Sequence, residues 1–452
     1  KKKPHPPRQR SAMLPSPLVR GARTALRSLA ASSSAGLRLE KALCTAPSGA
    51  SHDRNLHHRR AAAPTSSTAV YRALSRAFST AQTVNTRIDA SKLTVERTKS
   101  PKVKPPFDHT LPFGKVFSDH MLEIDWTRSA GFGTPRIVPF HNLQLSPSIP
   151  ALHYGVQCFE GMKAYKDASG GVRLFRPEMN MKRFDDSCKR LALPELDKEG
   201  MQKCIAELCK VESDWVPAFE GCSLYLRPTC IGTSEGLGVS EPSEALIFVI
   251  ASPVGPYFAN GFAPVKVLAE TGFRRAWPGG TGSNKVGGNY APGLMPQKLS
   301  AAKGYSQVLW LFGEEEYVTE IGAMNFFVFW VTPEGKKELI TAPLDGTILP
   351  GVTRDSILKL AKGWDMCDKV SERAFTMKEL AKAVDEGRVL EVFGAGTAAV
   401  VAPVDGIGYN GRNLPVPCGT DGKAGDLTKK LFGAISDLHY GRSDQMGWSV
   451  PV

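Results

Sequence analysis

From residue 107 onward, short apolar runs alternate with polar, turn-forming stretches, and the spacing within each run separates strands from helices. Met201, Ile205, Leu208 and Cys209 recur at helical spacing and predict a helix over Lys198–Val211, with another near Met181–Leu191. Ala245–Ala251 is an unbroken apolar run of strand length, which predicts a strand covered on both faces. Val265–Glu270, Gln307–Phe312, Asn325–Val331, Leu339–Ala342 and Val389–Phe393 read as further strands. Thr353–Gly363, Thr376–Glu386 and Leu427–His439 read as helices, the second opening on the capping-box pair Thr376 and Glu379. Strands mixed with a few helices, without strict alternation, argue against a doubly wound dinucleotide-binding sheet. No internal repeat is found.

Breaks in this pattern suggest the domain plan. Residues 89–106 are charged and proline-bearing and read as a linker, with order beginning near Phe107–Phe113. The stretch Ser252–Gly261 is dense in proline and glycine and marks an interdomain connection. The expected plan is a smaller domain over 107–253, a connection over 254–263 and a larger domain over 264–452. A chain of 452 residues has room for two such cores, and 42% hydrophobic with 22% charged residues is the composition of a globular protein.

Charge changes the picture at one end only. Residues 1–88 hold 16 lysines and arginines against Glu40 and Asp53, leaving the rest with 41 basic and 42 acidic residues. The net charge of +13 therefore belongs to the leader, and nucleic-acid binding loses its main support. Arginines among Ser, Ala and Pro with almost no acids make 1–88 an expected targeting peptide, mitochondrial with a plastid as the alternative. Arg76-Ala77-Phe78-Ser79 resembles a mitochondrial processing site cut after Phe78. Residues 1–12 precede the first methionine, Met13, which leaves open translated upstream sequence ahead of the native start. No apolar run is long enough to span a bilayer. Nine cysteines (44, 158, 188, 204, 209, 222, 230, 367 and 418) form no Cys-x-x-Cys pair and no zinc spacing, so free thiols and no metal are expected. Cys204 and Cys209 fall on a predicted helix and read as partly buried small apolar residues.

The candidate chemistry starts at Lys285, framed by Gly279, Gly280, Gly282, Gly287 and Gly288 and followed by Tyr290. Taken alone this is either a solvated loop lysine or an amine held against a carbonyl ligand for Schiff-base chemistry. Leu349-Pro350-Gly351-Val352-Thr353 is a turn opening a helix, whose free amides and dipole favour an anion, as most helix starts do. Phe393-Gly394-Ala395-Gly396-Thr397-Ala398 reads as a second glycine-rich turn with further amides and a hydroxyl. Neither a Walker A loop nor a Gly-x-Gly-x-x-Gly dinucleotide turn is present. Glu320 stands where charge gives way to an apolar strand. Its default is a surface carboxylate; its functional alternative is a partner for a buried ring nitrogen.

Taken in order, these segments resemble the branched-chain aminotransferases, pyridoxal-phosphate enzymes of the D-amino-acid aminotransferase-like fold type IV. The resemblance runs from about Phe107 to the C-terminus. It is carried by Phe113–Met121, Leu152–Lys163, Leu174–Pro177, Ser223–Pro228, Lys285–Tyr290, Thr319–Gly322, Leu349–Arg354 and Glu391–Thr397. It implies an α/β, α+β-like chain with a smaller N-terminal domain and a larger pseudo-barrel domain. It also implies a homodimer that takes up pyridoxal 5'-phosphate. The implied reaction is reversible transamination of L-leucine, L-isoleucine and L-valine with 2-oxoglutarate. The alternative is a relative acting on D-amino acids or as an aminodeoxychorismate lyase. Lys285 would bind the cofactor covalently and shuttle the proton, Glu320 would pair with the ring nitrogen, and Tyr290 with the phenolic oxygen. Arg183, Val352, Thr353, Gly396 and Thr397 would hold the phosphate, with Arg275 nearby. Thr397, Ala398 and the partner subunit's Tyr154 would receive the substrate carboxylate. Phe113, Phe159, Tyr225 and Tyr257 would line the side-chain pocket, and Arg227 would pair with the distal carboxylate of glutamate. Two departures from some members matter. Ala399 and Ala402 replace a Cys-x-x-Cys redox pair, so no such regulation is expected there, and Ala323 replaces a threonine behind the cofactor.

Overall fold

The computed structural model describes residues 84–256, 262–444 and 446–452. Most of the expected targeting peptide, with its cleavage point after Phe78, lies outside these residues, as does Tyr257. Among the described residues the first sheet contains β1 (Thr94–Val95), β2 (His120–Thr127), β3 (Gly131–Phe132), β4 (Arg136–Pro139) and β5 (Gln157–Phe159). It continues with β6 (Met162–Lys166), β7 (Val172–Phe175), β8 (Ser223–Gly232), β9 (Glu244–Val254) and β19 (Ser449–Pro451). Its order is β1-β4-β2-β9-β8-β6-β7-β19, with β3 on β2 and β5 on β8.

The second sheet comprises β10 (Val265–Glu270), β11 (Gln307–Phe312), β12 (Tyr317–Ile321), β13 (Met324–Val331) and β14 (Lys337–Thr341). To these it adds β15 (Lys369–Glu372), β16 (Val389–Gly396), β17 (Val400–Tyr409) and β18 (Arg412–Pro415). Its path runs β12-β11-β10-β17-β16-β13-β14-β15, and β12 also pairs with β13. That extra pairing closes β12, β11, β10, β17, β16 and β13 into a ring, which is the pseudo-barrel. The helices are α1 (Pro150–Tyr154), α2 (Pro177–Arg190), α3 (Lys198–Val211), α4 (Leu294–Ala302), α5 (Val352–Lys362), α6 (Met377–Asp385) and α7 (Asp426–His439).

Packing explains the periodicities. Met181, Phe184 and Cys188 of α2 and Met201, Cys204, Ile205, Leu208 and Cys209 of α3 join Leu122, Ile124, Leu226, Ile247 and Val249 in one core. Beyond Asn325, strand β13 is apolar because both of its faces are covered. Phe326, Val328 and Trp330 point into one cluster with Val267, Leu309 and Val404. Phe327 and Phe329 point the other way, against Ile357 and Leu358 of α5 and Leu431 and Ile435 of α7. Each such side chain, fully buried, contributes about 1.5–3 kcal/mol. Helix α3 is capped by Asp197, which accepts from the Gly200 N–H. Helix α6 has the full Thr376–Glu379 capping box.

Several expectations are corrected. Residues 89–106 are not a plain linker: Ala90–Lys92 form a 3-10 turn and β1 pairs in parallel with β4. The folded region also reaches into the tail of the expected leader, since Ile88 is buried and its N–H donates to Asp197 at 2.9 Å. Strand β9 runs through Val254, past the expected domain edge, because Ser223 on β8 still pairs with it. The C-terminal strand β19 leaves the barrel and pairs with β7 of the first sheet. Gly394, Ala395 and Gly396 are strand rather than turn residues, paired with Ala402, Val401 and Val400, so the turn is confined to Thr397–Ala399. Cys204 and Cys209 are fully buried rather than partly so. Helices α1 and α4 carry no apolar periodicity and were not anticipated.

Candidate active site

Lys285 lies on the long loop between β10 and α4, but its backbone is held by the first sheet. Its N–H donates to the Ser187 hydroxyl on α2 at 2.9 Å, and its carbonyl accepts from the Phe159 N–H at 3.0 Å. Asn289 braces the loop from behind, donating to the Thr281 and Asn284 carbonyls at 2.8 Å. These ties hold the lysine half-buried rather than free in solvent, and its Nζ donates to the Tyr290 hydroxyl at 3.1 Å. Burial, then repulsion from Arg183, brings its pKa down to about 8.

The Glu320 default is overturned, because the β12–β13 pairing turns this carboxylate inward, where it is 2% exposed. It accepts from the Leu349 N–H at 2.7 Å and the Asn325 amide at 3.2 Å, and pairs with Arg275 Nε at 2.7 Å. Burial raises its pKa, and Arg275 opposes the rise. Tyr290 is pushed up to about 12, by burial first and then by Glu320.

A cavity of about 420 Å³ collects these groups. Its walls include Lys285, Tyr290, Glu320, Arg183, Val352, Thr353, Gly396, Thr397 and Ala398, and also Phe113, Phe159, Tyr225 and Arg227. At one wall α5 begins on Gly351 without any side-chain cap, so its first amides keep their donors for an anion. A Cβ on Gly351 would stand 2.1 Å from Asn325 Oδ1, so glycine is required where this turn meets the strand. At the aromatic wall, Phe113 meets Tyr225 edge-on at 4.9 Å and Phe159 lies 4.9 Å from Tyr290. The Arg227 guanidinium sits 4.8 Å from the Phe159 ring, donates to the Tyr225 hydroxyl at 3.0 Å, and leaves its buried Nε without a partner. Gly161 makes this possible, since a Cβ there would fall 2.1 Å from the Tyr225 oxygen.

Three expected residues stand apart. Arg275 is not a wall of the cavity but the ion-pair partner of Glu320. Tyr154 is 43% exposed on α1 and donates to the Leu237 carbonyl of its own chain. Tyr257 lies outside the described residues. Two further groups had not been singled out from the sequence. Glu160, fully buried, grips Arg183 through both carboxylate oxygens at 2.7 and 2.9 Å, which leaves Arg183 Nη1 to donate to the Pro350 carbonyl at 3.1 Å. Asn325 spans Glu320 and the Leu349 carbonyl. The only sequence signal for either is its place inside or beside a quoted motif.

The lysine environment has a measurable consequence. Only the neutral amine attacks a carbonyl, and a lysine at about 8 reaches that form well below the usual 10.4. The rate at which Lys285 condenses with an aldehyde reagent is therefore expected to rise with pH and level off just above 8. A rise continuing to pH 10 would show an unperturbed amine.

Residues 157–407 match the family model described as amino-transferase class IV. The branched-chain-amino-acid aminotransferase of Dictyostelium discoideum is 53% identical, over 83% of this chain and 98% of its own. Two such enzymes of Saccharomyces cerevisiae, one named mitochondrial and one cytosolic, are 48% and 47% identical, each over 81% of this chain and over 93% and 98% of their own. Among solved structures, the branched-chain amino acid aminotransferase of Escherichia coli superposes with a TM-score of 0.56 at 26% identity, covering 72% of this chain and 98% of that one. Another solved branched-chain amino acid aminotransferase, with pyridoxamine 5'-phosphate, superposes with a TM-score of 0.58 at 28% identity, covering 72% of this chain and 97% of that one. With about half of its residues shared with relatives that it matches over most of both lengths, the protein belongs to the class IV aminotransferases and, within them, to the branched-chain-amino-acid aminotransferases.

Proposed function

We propose that the protein transfers the amino group of L-leucine, L-isoleucine and L-valine reversibly to 2-oxoglutarate, in a ping-pong course on one pyridoxal 5'-phosphate per chain. The observation that carries this reading is one cavity holding a half-buried lysine of lowered pKa, a buried glutamate and an uncapped helix start. Those groups suit the cofactor's aldehyde, ring nitrogen and phosphate respectively. When bound, pyridoxal phosphate supplies the carbonyl that accepts the amino group and a ring that stores the electron pair released at the substrate α-carbon.

Lys285 would hold the cofactor covalently and carry the proton at the substrate α-carbon. Glu320, fixed by Arg275, Asn325 and the Leu349 amide, would pair with the ring nitrogen and keep it protonated. Tyr290 would donate to the phenolic oxygen. The Val352 and Thr353 amides, Arg183 and the Thr397 hydroxyl would take the phosphate, and Gly396 would let the backbone come close. The Thr397–Ala398 turn receives the substrate carboxylate.

Phe113, Phe159 and Tyr225 offer an aliphatic side chain an apolar wall, while Arg227, seated on two of those rings, can swing its charge onto the distal carboxylate of glutamate. Arg227→Met is expected to raise KM for 2-oxoglutarate by roughly 10- to 100-fold, the scale of a charged hydrogen bond. KM for leucine should stay within a few fold; parallel rises for both substrates would remove the role. An apolar pocket separates neighbours differing by one methylene by only about 1–3 kcal/mol, so all three branched substrates should turn over. Assay of the purified protein with leucine and with D-alanine tests the reading, and turnover of D-alanine alone would overturn it.

We also propose a homodimer in which Tyr154 of each chain, half exposed here, completes the other's site. A fully active monomer in sedimentation would exclude it. The arginine-rich, acid-poor leader and the relatives named mitochondrial support entry into the mitochondrial matrix. A reporter carrying residues 1–88 that stays cytosolic or enters plastids would contradict this. The domain plan of 107–253 and 264–452 is kept as a proposal, with β1 and β19 added to the first unit.

A further inference from the structure

Beneath the cavity lies a second lysine that the proposed reaction does not use. Lys163, on β6 of the first sheet, is 7% exposed and donates from Nζ to the Ala398 carbonyl at 2.9 Å. This is its one hydrogen bond among the described residues, and no described carboxylate pairs with it. Burial brings its pKa down to about 8. Carrying an ammonium into the interior costs several kcal/mol unless it is compensated. The compensation here is a single backbone oxygen, which belongs to the turn that closes β16 and β17.

That turn needs holding. Gly396 pairs with Val400, leaving Thr397, Ala398 and Ala399 to reverse the chain. Val400 then adopts φ +60, a left-handed conformation that a β-branched residue occupies only under constraint. The turn also has little behind it. Ala398 lines the catalytic cavity on one side, and Ala398, Ala399 and Val400 line a separate cavity of about 400 Å³ on the other. A small void bounded by Lys163, Val352, Thr353 and Thr397 places the ammonium directly behind the anion-binding wall. Val400 at its far end is packed into the core against α5 and α7, but Thr397 and Ala398 are only half-buried, and Lys163 reaches Ala398 from the other sheet.

We propose that Lys163 is a positioning residue for the substrate α-carboxylate: its ammonium fixes the Thr397–Ala399 turn in the conformation that presents Thr397 and Ala398 to the catalytic cavity. The inference rests on the proposed reading that this turn receives the carboxylate. It has a consequence that a general packing role lacks. Leucine and 2-oxoglutarate differ in side chain but share the carboxylate, so both should lose affinity together while the chemistry at Lys285 continues.

The test is Lys163→Met, which keeps the stem volume and removes the charge, measured on the holoenzyme. KM for leucine and for 2-oxoglutarate should each rise roughly 10- to 100-fold, with kcat within about threefold. Inhibition by 4-methylpentanoate, which keeps the carboxylate, should weaken by the same factor, and inhibition by 3-methylbutylamine, which lacks it, should not. Hydrogen exchange across residues 396–401 should quicken, a readout independent of turnover. Unchanged KM values and exchange would overturn the inference, as would equal weakening of both inhibitors. If Lys163→Met fails to fold, Lys163→Gln is measured by the same split. Failure of the wild-type enzyme to turn over leucine would count against the proposed function instead.

Discussion

Replacing Lys285 with alanine is expected to lower kcat for leucine by about 10⁴-fold or more, since one substitution removes both the proposed covalent anchor and the proposed proton carrier. The fold should survive. The loop is held through the Lys285 backbone, by Ser187 and Phe159, and by Asn289 bonding to Thr281 and Asn284, none of which uses the lysine side chain. The variant should therefore melt close to the parent while losing the visible absorbance that follows attachment of pyridoxal phosphate. Loss of a half-buried, partly desolvated ammonium removes a cost and can offset the lost packing. Retention of more than about a hundredth of the parent kcat would place the proton carrier elsewhere.

Glu320→Gln is expected to have the second largest effect, lowering kcat by about 10²–10³-fold, the scale of losing one preorganised charge at a developing charge. Here stability should fall as well. The carboxylate offsets Arg275 at 2.7 Å inside the protein, and breaking such a pair leaves a buried guanidinium uncompensated, at a cost of about 3–5 kcal/mol. Gln can still accept from the Leu349 amide, so the turn before α5 should keep its place. Kinetic measurement beside a urea melt separates the two effects. Full activity in a destabilised variant would reduce Glu320 to a structural partner of Arg275.

The strands and helices were legible wherever a periodic apolar face is bounded by its own caps. Helix Lys198–Val211 has an Asp cap and one buried face, and strands Val265–Glu270 and Gln307–Phe312 are bounded by Pro264 and Thr271 and by Ser306 and Gly313, so sequence and structure agree on their ends. Helix α4 escaped because Leu294, Met295 and Leu299 are exposed and Pro296 falls in its first turn, which hides any apolar period. The β1 strand escaped because its two residues are exposed, and it is recognised only through its partner β4.

The chemistry was legible as motifs but not as electrostatics. Glu320 follows the acidic run Glu314–Glu316 and looks like a continuation of it; only the β12–β13 pairing turns it toward Arg275 and Asn325. Glu160 and Lys163 lie in a quoted motif, but their roles depend on Arg183 and Ala398, 23 and 235 positions away. No local pattern encodes such partners. Tyr154 was expected to act on another chain's site, a role that no pattern within one chain encodes.

The most direct test of the central claim is the visible spectrum of the purified protein with pyridoxal phosphate, recorded before and after L-leucine and then after 2-oxoglutarate. The account predicts a yellow absorbance that fades with leucine and returns with 2-oxoglutarate, each half of the cycle standing alone. A yellow protein that leucine leaves unchanged, or one that gains no colour with pyridoxal phosphate, would contradict it.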